Sequence, residues 1–127
     1  MMRGTLNDQS LIYLQIAQML EDDILRGIYR EGDQVPSTNE LARAFNINPA
    51  TAAKGINLLV ADGMLYKKRG LGMFVAEGAK KIALDKRRKA FYDTFVRPMT
   101  WEARSLGLSG GDIMTMVKQA MEEGEES

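Results

Sequence analysis

Apolar residues recur at helical spacing through the first half of the chain and predict its helices. In residues 10–26 they repeat every three or four positions and stop before Gly27, which predicts one amphipathic helix. Its expected buried face is Leu11, Leu14, Ile16, Ala17, Leu20, Ile24 and Leu25. A second helix is predicted to start at Ser37, because Glu40 three residues later completes a capping box. Its expected buried face is Leu41, Ala42 and Phe45.

A third helix is predicted between Asn48 and Gly63. Asn48 is a good N-cap, Pro49 suits the first helical position, and Gly63 suits the end. The apolar stripe of this helix is Ala52, Gly55, Ile56 and Leu59. Glycine costs about 1 kcal/mol relative to alanine inside a helix, so we expect another helix to pack closely against Gly55.

Two short strand-like runs follow, at residues 64–68 and 73–77, on either side of an RGLG turn. Three helices followed by a hairpin, with a tight turn between the second and third helices, are the order of a helix-turn-helix with a β wing. The sequence therefore predicts a mainly α fold with a small β-hairpin wing. We assign this winged helix-turn-helix domain to residues 1–77.

Residues 78–127 predict a short helical tail of two helices. Pro98 interrupts the first pattern, so we expect a kink or a break near Arg97. Ser109 and Asp112 predict a capped start for the last helix. Methionine-rich apolar faces of this kind are typical of adaptable packing or interfaces, so we interpret the tail as a dimerisation segment. The residues expected in that contact are Leu84, Phe91, Phe95, Met99, Trp101, Ile113, Met116 and Val117.

The composition excludes most kinds of catalytic site. The chain has no cysteine and no histidine, which excludes disulfides, thiol catalysis, the usual zinc sites and histidine acid–base catalysis. No pair of carboxylates stands out from the helix faces, so we expect no enzymatic activity, no metal and no cofactor. The N-terminal segment lacks an apolar signal-peptide core, and no apolar run approaches the length of a membrane span. We therefore expect a cytoplasmic protein without a membrane partner.

The charges are unevenly distributed although they balance overall. The 17 basic and 17 acidic residues cancel, yet residues 67–89 hold nine basic and two acidic residues. The basic turn has three interpretations: a nucleotide-phosphate loop, a solvated hairpin, or a wing that contacts nucleic acid. A phosphate loop should open directly into a helix, whereas these glycines separate two strands. The position after a helix-turn-helix favours the wing. The basic run at residues 86–89 is typical of a solvated helix face, or it could flank DNA in a dimer.

The third helix is the candidate DNA-reading helix, since such helices present their N-terminal residues to base edges in the major groove. Those residues are Pro49, Ala50, Thr51 and Lys54. Proline and alanine can make only apolar contacts, threonine can bond a phosphate or a base, and lysine can reach a phosphate or a guanine edge. The plainer alternative is that Lys54 is simply solvated.

Residues 11–76 resemble the winged helix-turn-helix domain of the GntR family of bacterial transcription regulators. The resemblance rests on IYLQIA (12–17), GDQVPSTNELA (32–42), NINPATAAKGINLLVADGMLY (46–66) and RGLGMFVA (69–76). The NPxT opening of the third helix and the short tail are similar to the YtrA-like subfamily. Family members often have arginine where this chain has Asn39, Pro49 and Ala53, so the base preference does not carry over.

The resemblance implies a homodimeric transcriptional regulator, most simply a repressor, that binds an inverted repeat in double-stranded DNA. The implied DNA-binding residues are Ser37, Thr38, Asn39, Asn48, Pro49, Ala50, Thr51, Lys54, Lys67, Lys68, Arg69, Gly70 and Gly72. Among them we expect Asn39, Thr51 and Lys54 to specify bases. An unidentified small-molecule effector would have to bind between the domains or at the dimer interface. The alternative function is a winged-helix protein–protein interaction module without specific DNA binding.

Overall fold

The computed structural model describes the backbone of residues 9–126 and the side chains of residues 12–125. The elements in chain order are α1 (Gln9–Leu25), α2 (Thr38–Phe45), α3 (Pro49–Ala61), β1 (Leu65–Lys68), β2 (Gly72–Val75), α4 (Ala79–Phe91), a π-helical segment (Tyr92–Val96), α5 (Arg97–Ser105) and α6 (Gly110–Glu126). This order confirms the predicted helix-turn-helix with a two-stranded wing. None of the helices described is long and apolar enough to cross a membrane.

The starts of α2 and α3 are fixed by the caps that the sequence predicts. The hydroxyl of Ser37 accepts a hydrogen bond from the Glu40 N–H at 3.0 Å, and the Glu40 carboxylate accepts one from the Ser37 N–H at 2.8 Å. Asn48 accepts from the N–H of Ala50 at 2.8 Å. Between the two helices, Asn46 adopts a left-handed conformation with φ 53°, which asparagine tolerates better than most residues. The tight turn of the helix-turn-helix is therefore encoded locally.

Helices α1 and α3 pack against each other at Gly55. A Cβ atom on Gly55 would lie 2.8 Å from the carbonyl oxygen of Tyr13 and 3.1 Å from side-chain carbons of Ile16. The close helix contact predicted at this glycine is confirmed. Around it the core gathers apolar side chains from every element of the first unit: Ile16, Leu20, Ile24, Val35, Leu41, Ala42, Ala52, Ile56, Leu59, Met64, Leu65, Val75, Ala79 and Ala83.

Two residues predicted to be buried are not. Leu14 is 47% exposed, because it lies two positions from Ile16 and therefore on the opposite side of α1. Phe45 is 48% exposed at the last position of α2. The side chain of Leu11 lies outside the described residues.

The wing contains a third extended segment that the sequence pattern does not reveal. β1 and β2 pair antiparallel, with Leu65 opposite Val75 and Lys68 opposite Gly72. Residues 32–35 bond to the other edge of β2, through Val35 N–H to the Met73 carbonyl at 3.0 Å and Val75 N–H to the Asp33 carbonyl at 2.8 Å. The segment that leads into α2 is thus attached to the wing.

The chain divides into two compact units, residues up to Lys86 and residues from Arg87 onward. This division lies beyond residue 77, where the sequence analysis placed the domain boundary, because Ala79 and Ala83 of α4 are fully buried in the core of the first unit.

An ion-pair cluster attaches the same helix to the first unit. The ammonium of Lys86 lies 3.1 Å from the buried carboxylate of Glu21 in α1 and 3.0 Å from that of Asp62 at the end of α3. Partial burial acts to lower the pKa of Lys86, but hydrogen bonds to Asp62 and Glu21 outweigh it and raise the pKa. Its stabilising effect is therefore complete below the unfolded-state pKa of lysine, and is lost only as the pH rises through the higher folded-state pKa.

Pro98 does not break the helix that contains it. The backbone takes a π-helical register over Tyr92–Val96, in which the N–H of Arg97 bonds to the Tyr92 carbonyl, and α5 continues from Arg97. Pro98 then stands in the first turn of α5, where a missing N–H is best tolerated. Of the kink or break expected near Arg97, the break does not occur, and the backbone changes register there.

In the second unit, α6 begins with its own capping box. The Ser109 N–H donates to Asp112 at 2.9 Å, and the Asp112 N–H donates to the Ser109 hydroxyl at 3.0 Å, which confirms the predicted start. Ala103 of α5 is buried. An open groove of about 380 Å³ follows α5 and α6, lined by Met99, Glu102, Ala103, Leu106, Leu108, Ile113, Met116, Val117 and Ala120.

Gly55→Ala should destabilise the protein although alanine is the better helix former. The propensity gain is about 1 kcal/mol, whereas forcing atoms into a filled contact typically costs about 1–3 kcal/mol. We expect a net loss of about 1 kcal/mol in the free energy of unfolding, measured by thermal or denaturant unfolding. Gly124→Ala is the matched control, since a Cβ there meets nothing within 4 Å. Equal or greater stability of Gly55→Ala would contradict the tight crossing.

Candidate nucleic-acid interface

Three outward-facing features of the first unit could meet a polyanion: the N-terminus of α2, the N-terminus of α3, and the tip of the wing. The turn at Asn46 joins the end of α2 to the start of α3, and the segment 32–35 joins the wing to the start of α2. Short connections therefore fix all three features on one framework.

The N-terminus of α2 presents Ser37, Thr38 and Asn39. The Ser37 hydroxyl accepts from the Glu40 N–H, and its own proton can be donated either to the Glu40 carboxylate or to a phosphate. The hydrogen bond from the Ser37 backbone N–H, and next its hydroxyl, lower the pKa of Glu40, so the capping carboxylate is ionised at neutral pH. Asn39 is exposed, as a base-reading side chain must be.

At the N-terminus of α3 the residues predicted to contact DNA differ in their exposure. Asn48, Pro49 and Ala50 are exposed, and the amide nitrogen of Asn48 is directed by the cap that its oxygen makes with Ala50. Thr51 is only 7% exposed. Because α3 packs on both α1 and α2, this side chain offers little surface to a base, and its role in reading DNA stays a prediction.

Lys54 is exposed, and its ammonium lies 4.3 Å from the centre of the Tyr13 ring. At this distance the ring face attracts the cation, an effect worth about 0.5–1 kcal/mol at an exposed site. Tyr13 of α1 therefore helps to place the cation of the reading helix. The sequence pattern does not identify Tyr13 as a functional residue, because nothing in its spacing distinguishes a ring that contacts a lysine from one that faces solvent.

The basic residues of the wing differ in their surroundings. Lys68 and Tyr66 share one face of β1, and the Lys68 ammonium lies 4.5 Å from the centre of the Phe74 ring. Lys67 lies on the opposite face, across from Met73. Arg69 is exposed at the turn, and its side chain forms no ion pair within residues 12–125. Of the three cations, Lys67 and Arg69 therefore make fewer contacts within the wing than Lys68 does.

The turn itself needs glycine. Gly70 has φ 78° and Gly72 has φ 121°, values that residues other than glycine rarely adopt. A turn of this kind brings the backbone, Arg69 and the exposed Leu71 to the tip. Both glycines predicted to belong to the interface are therefore explained by the shape of the turn.

Not all of the basic run at residues 86–89 is available to a polyanion, because Lys86 is held by Glu21 and Asp62. Among the residues described, no group of three or more acidic side chains could hold a metal ion. Among the cations predicted to contact DNA, Lys54, Lys67 and Arg69 are exposed.

Known proteins are similar to this chain over the same region. The family model of "Bacterial regulatory proteins, gntR family" matches residues 12–75. The chain is 45% identical over 65 residues to the "Probable fructoselysine utilization operon transcriptional repressor" of Escherichia coli, which covers 51% of this chain and 27% of that protein. It is 39% identical over 69 residues to the repressor YtrA of Bacillus subtilis, covering 54% of this chain and 53% of YtrA. The chain thus spans about a quarter to a half of the length of these two relatives.

Other similarities extend into the tail. The HTH-type transcriptional regulator YhcF of Bacillus subtilis is 30% identical over 115 residues, covering 89% of this chain and 92% of YhcF. The crystal structure of a GntR-family protein from Bacteroides thetaiotaomicron is 34% identical, with a TM-score of 0.71 over 89% of this chain and 98% of that chain. Streptococcus agalactiae BusR, solved with its busAB promoter DNA, is 27% identical with a TM-score of 0.58, over 90% of this chain and 51% of that chain.

Ser37→Asp separates the two roles of the α2 cap. Aspartate caps helices as well as serine does, so the unfolding temperature should change little. The added carboxylate should repel a phosphate at this site, so binding to duplex DNA should weaken, measured by fluorescence anisotropy. Ser109→Asp makes the same change in the matching box of α6 and should leave DNA binding unchanged. Equal DNA binding by Ser37→Asp and the unmodified chain would remove Ser37 from the interface.

Proposed function

Because the chain belongs to the gntR family of bacterial regulatory proteins, we propose that it is a sequence-specific DNA-binding transcriptional repressor that acts as a homodimer in the cytoplasm. The observation that carries the proposal is the placement of two exposed helix N-termini and a cationic wing tip on one winged helix-turn-helix. The binding of promoter DNA by BusR supports it. YtrA supports the repressor role.

The proposed contacts fall into two groups. Arg69, Lys67 and the N-termini of α2 and α3 contact phosphates and set the orientation of the protein on the duplex. Asn39 and Lys54 contact base edges: an asparagine amide can pair with adenine, and a lysine can reach guanine. With Thr51 buried, these two side chains carry most of the direct sequence readout, with Pro49 and Ala50 available for contacts to thymine methyl groups.

The tail is the proposed dimerisation segment. Large apolar side chains on it are exposed in the single chain, among them Phe91, Phe95, Trp101, Met116 and Val117. Exposed apolar surface of this extent is typical of an interface. Two copies joined in this way would place their reading helices about one turn of DNA apart, roughly 34–36 Å, and an inverted-repeat operator follows from that symmetry.

The test of the proposed function is selection from randomised duplexes at moderate salt, with sequencing of the bound fraction. We expect enrichment of an inverted repeat. Binding should also weaken steeply with salt, because phosphate contacts release counterions. No binding at any salt would overturn the proposal and favour an interaction module that contacts proteins.

Arg69→Ala should weaken binding to all duplexes by a similar factor, since the residue is assigned to the DNA backbone. Loss of one phosphate contact should reduce the slope of log K against log salt by about 0.9. Arg26→Ala removes an equally exposed arginine from the end of α1 and is the charge-matched control. A changed sequence preference in Arg69→Ala would instead show that the wing reads bases.

Phe95→Asp should dissociate the homodimer, because it places a charge at a side chain that is 62% exposed in the single chain and buried in the proposed interface. Sedimentation should show a monomer, with unchanged helical content by circular dichroism. Ile28→Asp, at an apolar residue 60% exposed in the first unit, is the matched control. A stable dimer of Phe95→Asp would place the interface elsewhere.

A further inference from the structure

Gln34 connects the segment before α2 to the tip of the wing. Its side-chain nitrogen donates a hydrogen bond to the carbonyl oxygen of Leu71 at 2.7 Å. Its backbone forms a bridge to Phe74 of β2. Because the acceptor is a carbonyl, the interacting group of Gln34 must be the NH₂ and not the oxygen. The side chain therefore passes beside Gly72 to reach the turn that carries Arg69.

The glycine at position 72, which the φ of 121° already favours, also leaves room for the same amide. A Cβ atom on Gly72 would lie 2.6 Å from the side-chain nitrogen of Gln34. The glutamine occupies the space that a larger residue would need. Glycine at 72 thus gives the turn its backbone conformation and also admits Gln34 to the turn.

The hydrogen bond is a positional constraint more than a means of satisfying a buried group. Gln34 and Leu71 are both exposed, so water could replace the amide at the Leu71 carbonyl. The other bond that closes the turn runs from the Leu71 N–H to the Lys68 carbonyl at 2.9 Å. Arg69 and Gly70 lie between these residues, so the direction of Arg69 depends on a turn that Gln34 holds from outside the hairpin.

We propose that Gln34 is a positioning residue for DNA binding, which holds the wing tip in a fixed place relative to the N-terminus of α2. This inference rests on the proposed contact of the wing with DNA. Gln34 lies three residues before the Ser37 cap, in the segment that bonds to β2 through Asp33 and Val35. One side chain thereby links two of the three features that would meet the duplex.

The chemistry of the site points to glutamine rather than its relatives. Asparagine is one methylene shorter, and glutamate has no donor at neutral pH and would face a carbonyl oxygen. Methionine has a similar length and flexibility but donates no hydrogen bond. Gln34→Met therefore keeps much of the packing and removes the hydrogen bond.

The first test examines the wing of the full chain without DNA. Trypsin cleaves after lysine and arginine, so Lys67, Lys68 and Arg69 report on opening of the wing under native conditions. We expect Gln34→Met to accelerate cleavage there about fivefold, the factor for one net hydrogen bond, with an unchanged unfolding temperature. Gln18→Met, at an exposed glutamine of α1, should cleave at the rate of the unmodified chain. Unchanged cleavage in Gln34→Met would overturn the proposal.

The second test is a double-mutant cycle on a duplex selected by the unmodified chain. Gln34→Met should weaken binding about fivefold when Arg69 is present and less than about twofold in the Arg69→Ala background, because the residues act through one contact. Additive effects would make Gln34 only a structural support and would overturn its role in DNA binding. If Arg69→Ala alone changes nothing, the proposed wing contact fails and the DNA part of the inference fails with it. Accelerated cleavage in the first test would still show that Gln34 stabilises the turn.

Discussion

Helices α1 and α3 meet with no side chain between them at Gly55, and the arrangement of the first unit depends on that contact. It brings the Tyr13 backbone within 2.8 Å of where a Cβ would stand. Lys54, the residue before Gly55 in α3, has its ammonium over the Tyr13 ring. At the C-terminal end of α3, Asp62 forms an ion pair with Lys86 of α4, and so does Glu21 of α1. The same pair of helices therefore also contacts α4.

Most of the fold could be predicted from the sequence because its signals are local. A cap depends on residues three positions apart, such as Ser37 with Glu40, and a buried stripe depends on helical period. The order of helices and wing followed from these rules, as did the close packing at Gly55. Predictions failed where burial depends on what lies across from a helix. Leu14 counted as apolar and periodic, yet the face that meets α3 is set by Ile16 and its neighbours.

The candidate site was predicted less completely, because its details depend on contacts distant in the chain. Thr51 follows exposed Ala50 and precedes fully buried Ala52, and only the packing of α3 decides to which side it belongs. The link from Gln34 to Leu71 spans 37 residues, and neither partner belongs to a recognisable pair in the sequence. The π-helical register before Pro98 is one of several ways in which a helix can accommodate proline, and the sequence does not select among them.

The charges of the first unit make geometry important for the proposed DNA binding. The first turns of α2 and α3 contain no arginine or lysine, so their attraction for phosphate comes from backbone N–H groups and helix dipoles. Such groups act over short distances and need a ligand in the right place. Side-chain cations of the wing act over longer distances but can be displaced with the turn. A protein with few charged side chains at its DNA-reading helix therefore depends on a wing that is held in a fixed position relative to that helix. The hydrogen bonds between residues 32–35 and β2 hold the wing in this position.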